Sequence, residues 1–93
     1  DASGAVVAPG DAYAQARQAL ENVARALAQA GASMSDVVRT RMFVTDITRW
    51  REYGRAHAEL FRDVRPAASM VEVAQLIDPA MLVEIEADAV IER

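Results

Sequence analysis

Near Gly31 the spacing of apolar residues changes from helical to alternating, and that switch limits the chain to mixed layers of helix and sheet. From Ala12 to Ala30, Tyr13, Ala16, Leu20, Val23, Leu27 and Ala30 recur at steps of three and four, while Arg17, Gln18, Glu21, Arg25 and Gln29 fall mostly on other faces. Asp11 suits an N-cap, and Gly31 suits the left-handed position that ends a helix. Glu21 and Arg25 are spaced for an i,i+4 ion pair. The next stretch alternates: Val38, Thr40, Met42 and Val44 on one side, Arg39, Arg41, Phe43 and Thr45 on the other. Asp46 or Thr48 is placed to cap a second helix over roughly 49–62, with Trp50, Tyr53, His57, Leu60 and Phe61 inward. Pro66 closes that segment, and strands are expected near 68–76 and 82–91. The predicted order is helix, strand, helix, strand, strand: an α/β layer with both helices on one face.

A single small domain of 93 residues buries only about 60–65% of the surface its unfolded chain exposes. It is 53% hydrophobic but only 5% aromatic, so its core is built from small and aliphatic side chains. That composition favours association, in which one copy's sheet becomes another's core. The net charge is −4 and all ten basic residues are scattered arginines. Nucleic acid is therefore not an expected partner, since phosphate neutralisation supplies most of that affinity. Without cysteine there is no disulfide, thiol nucleophile or thiolate-held zinc, and the lone His57 makes no metal cluster, so no metal or other cofactor is expected. No apolar run has membrane length and no signal peptide pattern opens the chain; a soluble, cytoplasmic protein is the expectation.

Few residues offer chemistry. His57 lies at helical spacing with Tyr53 and Leu60, where a lone histidine is ordinarily a packed or surface residue, and no Ser-His-Asp or Cys-His set surrounds it. Glu84, Glu86 and Asp88 share one face of the last strand. On a solvated face they are solubilising charges. On a face buried by another subunit, a carboxylate needs a partner or a proton, and a raised pKa suits proton transfer to or from water. Glu84 is nearest the "IDPA" loop and is the candidate to border a cleft. Arg39 and Arg41 are expected to form cross-strand pairs with these acids, and Glu72 to pair with an arginine.

"ARQALENV", "DVVRTRMFVTD" and "VEVA…VEIEA", in this order, resemble the YjgF/RidA (Rid, endoribonuclease L-PSP-like) family from Ala12 onward. The resemblance implies a chorismate-mutase-like mixed α/β sheet with two helices on one face, assembled as a homotrimer with ligand clefts between subunits. It also implies an N-terminal β-hairpin, in whose place "DASGAVVAPG" stands, so residues 1–93 are expected to be one Rid-like domain, incomplete at the N-terminus. In the best understood branch, enamines and imines are hydrolysed to 2-oxo acids and ammonia. An arginine in a Pro-Ala-Arg-Ser stretch grips the substrate carboxylate through its planar fork.

Here that stretch is Pro66-Ala67-Ala68-Ser69, and Ala68 takes the arginine's place. Losing such a contact removes about 2–4 kcal/mol of binding and the anchor that orients the imine. By position in the family, Glu84 handles the attacking water, Ala68, Ser69 and Met70 line the cleft, and Arg65 is a substitute cation only along a different backbone path. The expected function is a trimer binding a small metabolite between subunits and hydrolysing a substrate other than the usual 2-imino acids. A 2-enamine/imine deaminase using Arg65 is the alternative, followed by a ribonuclease or translation inhibitor and by a regulatory trimer without chemistry.

Overall fold

The computed structural model describes residues 8–91. Helix α1 spans Ala12–Gln29, strand β1 Val37–Val44, helix α2 Trp50–Phe61, strand β2 Ala67–Glu72 and strand β3 Val83–Ala89. Asp11 caps α1 by accepting from the Ala14 N–H, and Gly31 takes the positive φ of +83° that lets the chain leave the helix. Short 3-10 turns, Met34–Asp36 and Ile47–Arg49, lead into β1 and α2.

The three strands form one sheet in the order β2-β1-β3. β1 is central, parallel to β2 and antiparallel to β3. A parallel neighbour needs a crossover, and α2 supplies it. Both helices cover the same face. There Leu20, Met42, Val44, Tyr53, Phe61 and Val83 form the core with small alanines from α1 and α2. The opposite face carries Arg39, Arg41 and Phe43 of β1 beside Glu84, Glu86 and Asp88 of β3.

Gln15 ties α1 to the segment before β3. Its side chain is buried, with Nε2 donating to the Ala80 carbonyl at 3.0 Å and Oε1 accepting from the Leu82 N–H at 2.7 Å. It thereby satisfies a donor and an acceptor that would otherwise lie unpaired in a partly buried loop.

Several sequence expectations are corrected. Val38 is half exposed and Val37 is buried, because a register shift between Val37 and Arg39 reverses the alternation at the start of β1. Trp50 is half exposed at the first position of α2, where Arg51 lies over its ring, rather than inward. Glu72 accepts from the Ile47 N–H, at the turn that leads into α2, instead of meeting an arginine. Glu21 bonds Arg17, one turn back, while Arg25 bonds Asn22. β2 ends at Glu72 rather than 76, since the chain turns away toward Asp78 and Pro79.

Candidate functional site

The start of β2 is shaped by the end of α2. The N–H groups of Val64 and Arg65 both donate to the Phe61 carbonyl at 3.0 Å, and Arg65 takes a φ of +54°. That is a helix terminator glycine would fill without strain, and here an exposed arginine fills it. Pro66 then sends the chain into β2, where Ala67, Ala68, Ser69 and Met70 align with Arg39, Thr40, Arg41 and Met42.

Alternation separates these candidates. Ala68 and Met70 share the helix-facing side with Thr40 and Met42; Ala67 and Ser69 share the open side with Arg39 and Arg41. Met70 is partly buried against the core, while Ala68 and Ser69 are exposed. Beside Ala68, Thr40 is fully buried and its hydroxyl lies 2.8 Å from His57 Nε2. The imidazole leans on Phe61, ring centres 4.7 Å apart, and burial holds its pKa below the ordinary 6.5.

Glu84 lies on the open face opposite Phe43. Its neighbours are neutralised: Arg39 reaches Asp88 at 3.2 Å, and Arg41 reaches Glu86 at 3.1 Å and Asp88 at 3.5 Å. The expected cross-strand pairs therefore form, with Glu86 and Asp88. Among the described residues Glu84 enters no ion pair, and it borders a shallow groove of about 330 Å³ between α1 and β3, beside Val23, Met81 and Ile85.

Within one chain, Ala68 and Glu84 do not meet. They occupy opposite faces of the sheet, three residue rows apart along β1, since Thr40 partners Ala68 and Phe43 partners Glu84. No group of three or more His, Asp or Glu side chains placed to hold a metal occurs among the described residues. Among the described residues, no helix is long and apolar enough to cross a membrane.

Sequence reasoning missed the Thr40–His57 pair. Its signal was a polar residue at an inward position of the central strand, which demands a hydrogen-bonding partner from the covering helix.

Residues 1–91 match the endoribonuclease L-PSP family. Among solved structures, a member of the YjgF/YER057c/UK114 family from Mycobacterium tuberculosis superposes with a TM-score of 0.86 at 59% identity, covering 88% of this chain and 70% of that one. Escherichia coli TdcF with bound serine gives 0.83 at 33% identity, covering 90% and 68%. The 3-aminoacrylate deaminase RutC of Acinetobacter baylyi is 38% identical over 85 residues, 91% of this chain and 67% of that protein. The chain spans about 60–65% of the length of the first curated relatives it matches. With its mixed sheet and two helices on one face, the chain belongs to the endoribonuclease L-PSP (YjgF/RutC/Rid) family.

Proposed function

We propose that this chain works as a homotrimer that binds a small metabolite in clefts between subunits, each cleft using the β2 start of one copy and Glu84 of another. The supporting observation is the separation of Ala68 and Glu84 by the sheet itself. A site needing both sides of one family cleft is built by two copies, not one. Glu84, outside the arginine lattice, is free to accept a proton from water as that water attacks a C=N carbon. Hydrolysis of the imine then yields a carbonyl and ammonia.

Ala68 sets the substrate class. A methyl offers no fork to a carboxylate, so the substrate differs from the usual 2-imino acids at that end. RutC and TdcF indicate the neighbourhood, small nitrogen-bearing metabolites, without specifying this chain's own. The alternative, a 2-enamine/imine deaminase, assigns the carboxylate to Arg65, which is exposed at the mouth of β2. The ribonuclease reading fits poorly with a net charge of −4.

Ammonia release from 2-aminoacrylate separates these readings. Slow turnover by the native protein, raised about tenfold or more by Ala68→Arg, is expected from a restored charge-assisted contact. Fast native turnover that is lost in Arg65→Ala establishes the deaminase instead. With a substrate that does turn over, activity unchanged in Glu84→Ala removes Glu84 from the chemistry.

A further inference from the structure

The face of α2 that brings His57 to Thr40 also carries a glycine. Gly54 lies one turn before His57 on the same helix face, and a side chain built there would meet nothing within 4 Å. Ala68, at the edge of the sheet, contributes only a methyl and is exposed. The Thr40 row of the sheet reads Ala68, Thr40, Ala87, so the threonine hydroxyl is the polar atom of that row. It is already held by His57 Nε2 at 2.8 Å. His57 Nδ1 makes no hydrogen bond among the described residues, and no described buried side-chain nitrogen or oxygen lacks a partner. The second ring nitrogen is therefore open to solvent or to a ligand.

We propose that His57, positioned by Thr40, is the specificity-determining group of the cleft beside Ala68, and that it selects a ligand presenting an uncharged carbonyl or amide there. This rests on the reading of the β2 start as the ligand cleft. A neutral imidazole supplies one donor and one acceptor, so once Thr40 occupies one nitrogen the other matches a single polar atom of an uncharged group. A carboxylate at the same place would lose its water without gaining a cation. Arg39 and Arg41 project from the other face and are engaged by Asp88 and Glu86. Ala68 and His57 act together: one removes the fixed charge and the other supplies a neutral contact.

Two probes differing at one group test this: 2-oxobutanamide and 2-oxobutanoate, titrated into the isotope-labelled full chain and followed by the backbone and imidazole resonances. The amide is expected to shift Thr40, His57 and Ala68 and to bind about fivefold or more tightly than the carboxylate. His57→Gln keeps a hydrogen-bonding head and retains amide binding within about threefold; His57→Phe loses about fivefold or more while its spectrum reports a folded protein. Ala68→Arg turns the preference toward the carboxylate. Amide binding unchanged in His57→Phe, or a native preference for carboxylate that disappears in Arg65→Ala, overturns the role of His57 and leaves the cleft in place. If neither probe moves any β2 resonance, the cleft reading fails with it.

Discussion

At Thr40 a hydroxyl sits fully buried in the middle of the sheet, and its cost is met by an imidazole brought down from α2. The arrangement has a pH signature. Burial depresses the folded-state pKa of His57 below 6.5, so between the two values the unfolded chain binds more protons than the folded one. Stability is therefore greatest above the unfolded value and is lost as pH falls through 6.5 toward the folded pKa. Denaturant melts at pH values on either side of about 6.5 should show His57→Gln losing less stability on acidification than the native chain; equal losses would remove His57 as the cause. Gly54 makes the opposite kind of prediction. It lies inside α2 with open space where a methyl would go and without a positive φ. Gly54→Ala is expected to stabilise the protein by about 0.4–1 kcal/mol, seen as a higher denaturation midpoint at unchanged slope. His57 stands out in the sequence because it is unique, and Thr40, a polar residue at an inward strand position, signals only that it needs a partner. Its partner lies 17 residues away across a crossover, and no local pattern encodes that meeting.

The elements themselves were largely legible, because each carries a local signal. Asp11 and Gly31 mark the ends of α1, and alternation marks β3, whose Val83, Ile85, Ala87 and Ala89 face the helices as the pattern requires. What escaped was whatever depends on a neighbour. The register shift at the start of β1 exchanges the roles of Val37 and Val38, and periodicity alone cannot detect an extra residue. Glu72 finds a backbone N–H instead of an arginine because the turn at Ile47 lies next to the end of β2, a proximity created only by the parallel pairing. Likewise, the separation of Ala68 from Glu84 follows from strand order and parity together. Gln15 shows how strongly one such contact holds the elements. Replacing it with leucine leaves the Leu82 N–H and the Ala80 carbonyl without their side-chain partner, at a cost of about 1–3 kcal/mol each where water does not reach. Gln15→Leu should lower the unfolding free energy by that order and increase amide exchange at Leu82. Unchanged exchange there would show that the segment before β3 is held by other contacts.

Over the whole molecule, the helices cover one face of the sheet and leave the charged face to its own side chains. The buried apolar set among the described residues is Ala12, Ala16, Leu20, Val37, Met42, Val44, Tyr53, Ala56, Phe61 and Val83, and three of these ten are alanines. The arginine–carboxylate lattice on the open face adds little in water, where exposed ion pairs contribute about 0–1 kcal/mol each. If the face is covered, attraction within each pair rises as the dielectric falls while each ion loses hydration; Arg39 and Arg41, already matched by Asp88 and Glu86, would enter an interface paired. Phe43 lies on that face, and Val71 follows it in the same row with nearly half its surface exposed. Association would therefore bury apolar area with those four charges paired, leaving Glu84 as the carboxylate of that face that enters no ion pair among the described residues. If subunit contacts supply much of the stability, melting must depend on protein concentration, since the folded oligomer is favoured by mass action. The thermal midpoint is expected to rise with protein concentration over about two orders of magnitude, alongside sedimentation of a trimer, and Phe43→Asp should abolish both behaviours. A concentration-independent midpoint with a sedimenting monomer would show that the sheet's charged face stays in water, and a cleft built from two copies could not then form.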